Sequence, residues 1–296
     1  EYLWNAAERA GKRPFLLRYT ASWPPTVTTG YQVDGDGKPW SQTNPNLIGP
    51  EVVYSSRGPD GTVPLQLRPA ANWVGLPKGE QALESDLHVP AYGHTGQEST
   101  LWLDCPYRNA ICTESGLQYH LLLRREPSGG YETVTWSRTK DLSDAAFTLR
   151  PGEWSQPRYE NLDSRHGRRK GGVWFKLIRL SPDGSDVLVF QPEIFPIDGV
   201  FTRPERLASE VTELAGPYME EPAWAPFAFY AWTDEETYFE AMEYQAQRFT
   251  KVATNTLEKY DWDLFMTQLH CIDWSMHVFV GNFGAFDEPP NPDLLG

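Results

Sequence analysis

No run in this chain is apolar over the roughly 20 residues that a membrane-spanning helix needs. No secretory leader is visible, although the sequence opens at Glu1 without a methionine, which leaves room for a leader already removed. Cysteine is scarce: Cys105, Cys112 and Cys271 are the three present, and an odd number at that density makes no disulfide framework. Cys105 and Cys112 are close enough in sequence to pair across a short loop or to stay reduced, while Cys271, inside an apolar run, reads as a buried thiol. Asn-x-Ser/Thr acceptors are absent. The compartment stays open, with a lean toward the cytoplasm. Positive charge is short as well: 26 basic against 40 acidic side chains give a formal charge of −14. That excludes the basic face of a nucleic-acid binder and argues against an anionic membrane surface. It does not exclude a phosphate substrate, because bound metal ions dominate the field at their own site.

What is present is a globular composition. The 296 residues are 40% hydrophobic and 14% aromatic, enough for a large core in one or two domains. Twelve tryptophans are many, and most are expected as packed or hydrogen-bonded anchors.

The patterning changes twice along the chain. The opening places Leu3, Ala6, Ala7 and Ala10 on one helical face, with Gly11 where a helix end is expected. Phe15-Leu-Leu-Arg-Tyr19 then reads as a strand, so the start is half of a βαβ unit. Trp23-Pro-Pro25 breaks it, and 30–50 is loop-like, rich in Gly, Pro, Asn and Asp. From about 63 to 196, short alternating runs appear at 101–103, 117–124, 131–136, 147–149, 173–180 and 187–190, separated by turn clusters at 127–130 and 182–184. This spacing predicts an antiparallel sandwich or barrel-like unit. The run Arg165-His-Gly-Arg-Arg-Lys170 falls between strands and reads as a solvated loop rather than an anion site. Beyond Phe201 the helical period returns, with a short helix over 204–214 and a long one over 234–259. In the long helix Tyr238, Met242, Ala246, Phe249, Val252 and Leu257 form the core stripe, and Asp234 is the expected cap. Residues 201–263 hold five basic against thirteen acidic side chains, a net of −8.

These blocks lead to Asp261-Trp-Asp-Leu-Phe-Met-Thr-Gln-Leu-His-Cys-Ile-Asp273-Trp-Ser-Met-His277. The apolar run 264–272 predicts a buried central parallel strand. Ligands in open α/β sheets sit beyond strand C-termini, which makes Asp273 the expected metal-binding or catalytic carboxylate. His277 follows at i+4, on the same side of a helical turn. Together they are two of the three or four donors that zinc or manganese takes. The plainer reading makes Asp273 a helix cap and His277 an ordinary half-buried histidine. His270 is the nearest competitor and reads as structural.

Several segments, in order, resemble the alkaline phosphatase superfamily. They are Leu3-Trp-Asn-Ala-Ala-Glu-Arg-Ala-Gly-Lys-Arg13, Trp23-Pro-Pro25, Gly30-Tyr-Gln-Val33, Gly152-Glu-Trp-Ser155, Arg203-Pro-Glu-Arg-Leu207, Gly216-Pro-Tyr218, and Tyr260-Asp-Trp-Asp-Leu-Phe265 leading to Asp273 and His277. The similarity is to the predicted phosphohydrolase/phosphomutase branch, related to type I phosphodiesterases and nucleotide pyrophosphatases. It reaches both ends of the chain and is weakest in the β-rich block. The resemblance implies that Asp273 and His277 bind one of two catalytic divalent ions, zinc favoured and manganese the alternative. It also implies a Ser or Thr nucleophile on an N-terminal helix, a metal-binding Asp before it, and later Asp and His ligands. None of these has a counterpart here: there is no strand-Asp-Gly start and no later Ser-Asp-His-Gly. The chain thus looks like the middle of such an enzyme, without the catalytic nucleophile and inactive alone. The parent would hydrolyse a small phosphomonoester or phosphodiester through a phospho-enzyme.

The expected architecture is α/β: an incomplete alkaline-phosphatase-like parallel sheet layer with an inserted all-β antiparallel unit. Residues 1–62 form the first part of the α/β core, 63–196 the insertion and 197–296 the second part. Two other readings stand beside it. One is a Trp-rich β module that binds carbohydrate or protein, which an exposed tryptophan stripe would reveal. The other is a non-catalytic relative that keeps the fold without complete ligands.

Overall fold

Phe15, Leu16 and Leu17 are all buried, because their side chains enter two different cores from one small sheet. The computed structural model describes residues 2–35, 46–58, 61–92, 112–125, 129–164, 166–220, 223–228 and 230–279. In chain order the first elements are α1 (Leu3–Arg9), β1 (Pro14–Leu17), β2 (Tyr31–Val33), β3 (Val52–Ser55), β4 (Val63–Pro64), β5 (Arg68–Pro69), β6 (Leu83–Tyr92), β7 (Cys112–Arg125), β8 (Tyr131–Ser137) and β9 (Ala145–Leu149). There follow β10 (Arg158–Ser164), β11 (Gly167–Val173), β12 (Lys176–Leu180), β13 (Val187–Gln191), β14 (Thr202–Arg203), α2 (Leu207–Ala215), α3 (Trp224–Ala228), α4 (Glu235–Lys259), β15 (Leu264–Thr267) and α5 (Cys271–Phe279). The fold is mixed α/β, with parallel and antiparallel sheets.

The α/β part is built on the order β14-β2-β1-β15, in which β1 pairs in parallel with both β2 and β15. Strand side chains alternate between faces. Phe15 and Leu17 pack with Phe201, Leu207, Val211 and Val252 under α2 and α4, and Leu16 packs with Trp4 and Val27 on the other face. Both faces are covered, as parallel strands require. The expected helix at the start is present as α1, but it turns a different face inward: Leu3 is 62% exposed and Trp4 is 4% exposed. The indole removes more apolar area from water than a leucine does, and its Nε1 donates to Thr26 Oγ1 at 2.9 Å. Asp263 fixes β15 to β1, its carboxylate accepting from the Arg13 backbone N–H at 2.9 Å and from Lys12 Nζ at 3.0 Å.

Helix α4 begins where the sequence placed its cap. Asp234 accepts from the Thr237 backbone N–H at 2.9 Å, and Tyr238, Met242 and Val252 are buried along its stripe. Leu257, expected in that stripe, is 41% exposed near the helix end.

Between these parts lie an antiparallel sheet of order β5-β6-β7-β8-β9 and a second sheet of order β12-β13-β3-β4. Leu87, Tyr119, Leu121 and Trp136 from the first share a core with Tyr54, Leu177 and Val189 from the second. Val52, Val53 and Tyr54 of β3 are fully buried and pair with β13, so this sheet recruits residues from ahead of 63. Residues 165–170 were expected as a loop, but Gly167 to Lys170 belong to β11, paired with β10. Gly167, with φ +77°, makes the tight hairpin turn that brings the basic run into register. Trp136 of β8 is buried, as are Trp73 and Trp174 in the connections β5–β6 and β11–β12. Residues 101–103, Cys105 and the side chain of Cys112 lie outside the described residues. Among the described residues, no helix is long and apolar enough to cross a membrane.

Candidate functional site

The strand expected over 264–272 stops at Thr267, and it lies at the edge of its sheet rather than in the centre. The reason is its partner. β1 ends at Leu17, and Arg18 then turns into the left-handed region at φ 48°, so nothing continues the ladder beyond the Leu17–Thr267 pair. After three residues the chain enters α5, with the Trp274 N–H donating to the His270 carbonyl at 2.9 Å. Cys271 is therefore a half-buried helical residue, not part of a core strand, and its Sγ donates to Gln245 Oε1 at 3.2 Å. Burial holds its thiol above the ordinary pKa.

Asp273 stands in the first turn of α5 and His277 in the last. The helix repeat does bring them together, with Oδ2 and Nε2 3.6 Å apart. Two donors at about 2.1 Å from one tetrahedral ion are separated by about 3.4 Å, so the pair matches one edge of such a shell. The side chains are 60% and 61% exposed, so a ligand can reach both. Among the described residues no group of three or more His, Cys, Asp or Glu side chains is placed to hold a metal. The pair fits part of a metal shell and cannot close it.

Several contacts besides the Cys271 thiol hold helix α5 to the rest of the fold, including aromatic packing of Phe279 against Phe227 and Tyr238. Arg18 stacks its guanidinium against Trp274 at 5.2 Å from the ring centre. Phe279 stacks on Phe239 at 5.5 Å, and Ser275 Oγ lies 3.6 Å from Met242 Sδ.

Residues that the sequence reading passed over gather at the C-terminal ends of β1 and β2. Arg18 and Asp34 follow these strands directly, are buried, and both have left-handed φ, at 48° and 50°. A non-glycine residue held there stores strain, and such positions concentrate at functional sites. Arg18 Nη2 donates to the Glu220 carbonyl at 2.7 Å, and Asp34 Oδ1 accepts from Asn46 Nδ2 at 2.9 Å. Burial works against the Arg18 charge, but Tyr218, Glu220, Asp34 and Glu193 more than offset it, and its pKa lies above the ordinary value. Arg248, on α4, stands 4.8 Å from the Tyr218 ring, and burial lowers its pKa. Burial also raises Glu51 well above the carboxylate range, with Glu193 adding to the effect. The signal available in the sequence was the one used for Asp273: a charged residue directly after an apolar strand.

No protein-family model, no curated protein and no solved structure matches this chain.

Proposed function

We propose that this chain is the central part of a metal-dependent phosphoesterase related to the alkaline phosphatase superfamily, with an incomplete parallel sheet layer of that kind and an inserted antiparallel unit over 63–196. The observation that supports the reading is the Asp273–His277 pair, whose donor atoms stand 3.6 Å apart on the helix that follows parallel strand β15. In this reading the Asp273 carboxylate and the neutral His277 imidazole hold one divalent ion, zinc or manganese. The second ion, its ligands and the Ser or Thr nucleophile come from outside these residues. A bound ion would supply Lewis-acid stabilisation of a phosphoryl oxygen. The chain's own part is to orient the two donors: Arg18 anchors α5 through Trp274, and the i+4 spacing aligns oxygen and nitrogen. The net charge of −8 over 201–263 makes a phosphate ester depend on those cations for binding.

The tryptophan-rich binding module has less support as a sheet-face binder, since Trp73, Trp136 and Trp174 are buried. The non-catalytic relative is separated from the leading reading by experiment. Zinc and manganese are titrated into the chain and its Asp273→Ala and His277→Ala variants by calorimetry. Turnover of aryl phosphate mono- and diesters is then measured on the isolated chain and on the full-length parent. Expected are weak metal binding lost in either variant, no turnover by the isolated chain, and parental turnover that falls by about a hundredfold or more in either variant. Metal-dependent turnover by the isolated chain, abolished by Asp273→Ala, would show that the missing groups are misjudged. A folded but inactive parent would favour the non-catalytic relative.

A further inference from the structure

A cleft of about 730 Å³ opens between the β-rich part and α4, on the side of α4 facing away from α5. The helix repeat separates the two sides: Glu240, Glu243, Tyr244, Gln247 and Lys251 line the cleft, whereas Met242 and Gln245 touch α5. The opposite wall is aromatic. Trp154 and Tyr159 line it, the latter 41% exposed, and Trp174 stands edge-on between Trp154 at 6.3 Å and Tyr244 at 4.5 Å. Pro217 forms the floor. It packs against Gly172, the β11 partner of Tyr159, where an added Cβ would come within 2.6 Å of the proline ring.

Three features define what this space accepts. Trp174 is 5% exposed and its indole N–H is buried, so the aromatic wall that a ligand meets is made by Trp154 and Tyr159. Glu240 is already engaged by Lys176 and by Trp154 Nε1, and the Lys176 ammonium stands 5.8 Å from the Trp154 ring. The buried Lys176 ammonium neutralises Glu240, and Lys251 balances Glu243 on the same helix, so the cleft presents no net charge to an organic cation or to a phosphate. What remains is a neutral ring with hydroxyl groups. Aromatic faces on one wall and a carboxylate, an amide and an ammonium in helical register on the other match a stacked pyranose. We propose that this cleft binds a neutral glycan, with one sugar ring against Tyr159 and Trp154 and its hydroxyls on Glu243, Gln247 and Lys251. The site is independent of the phosphoesterase reading and needs no metal.

The test titrates the folded chain with cello-, malto-, manno-, xylo- and chito-hexaose, followed by calorimetry and tryptophan emission. Saturable binding of at least one of them is expected, with a shift in emission. It should weaken about tenfold or more in Tyr159→Ala and in Gln247→Ala, two exposed positions whose variants should keep the parental melting temperature. Asp273→Ala should leave the affinity unchanged, with or without zinc, so failure here and failure of the metal reading are distinguishable. The proposal is overturned if no hexaose binds at about 10 mM, if both variants bind as tightly as the parent, or if choline binds in their place.

Discussion

The guanidinium of Arg18 lies 5.2 Å from the ring centre of Trp274, and this contact joins the end of β1 to the helix that carries Asp273 and His277. The same group donates to the Glu220 carbonyl at 2.7 Å. One buried side chain thus ties together β1, the segment after α2, and α5.

Replacing it should be severe. Arg18→Met removes a buried cation among Asp34, Glu193 and Glu220, and stranding such charges costs about 3–5 kcal/mol. Arg18→Lys keeps the charge but loses the planar stack, so it should recover part of the loss. Urea unfolding measures both; a loss under about 0.5 kcal/mol for Arg18→Met would mean that water already carries those carboxylates.

Asp273→Ala and His277→Ala should leave stability within about 0.5 kcal/mol of the parent, since their side chains are 60% and 61% exposed. Thermal melts without added metal check this. A large drop would assign the pair a structural role and undercut its reading as a ligand pair.

At the N-terminus, two neighbouring residues should behave oppositely. Trp4→Ala empties a buried site and should cost about 3–5 kcal/mol, whereas Leu3→Ser should be nearly neutral. Equal effects would mean that α1 is rotated from the orientation seen here.

Glu8 accepts from the backbone N–H groups of Thr28, Thr29 and Gly30 at 2.8, 2.6 and 3.1 Å. Burial pushes its carboxyl pKa up, but these hydrogen bonds outweigh that and hold it below the ordinary value. A depressed carboxyl adds stability above its unfolded-state pKa and loses it as pH falls through the folded value. The parent should therefore lose stability below about pH 4. Glu8→Gln should be weaker by about 1 kcal/mol at neutral pH, after allowance for the partly exposed carboxylate, with a flatter acid limb. Urea midpoints between neutral pH and pH 3 would show it, and an unchanged acid limb would remove Glu8 from the account.

Features set by neighbours in sequence could be read from the sequence. The Asp234 cap, most of the α4 stripe and the presence of strands at β7 and β8 are local patterns and stand where periodicity put them, although Leu257 is exposed and the burial of β8 does not alternate. Features set by distant partners could not. The length of β15 depends on where β1 ends, far away in the chain. The inward face of α1 was settled by the size of Trp4 and by Thr26 as its acceptor. The Arg18, Asp34, Glu193 and Arg248 cluster draws on separate segments, each with one charge that looks ordinary alone. Asp273 and His277 met because their spacing is helical, although the element carrying Asp273 is a helix where a strand end was expected.

Helix α4 presents Tyr244 to the cleft and Gln245, the next residue, to Cys271 of α5. A ligand that shifts this helix from one side must therefore alter the geometry on the other, and thermodynamic reciprocity sets the size of the return effect. Whatever factor cleft occupancy imposes on metal affinity at Asp273 and His277, metal imposes on the cleft in equal measure. A ligand that leaves α4 in place changes neither.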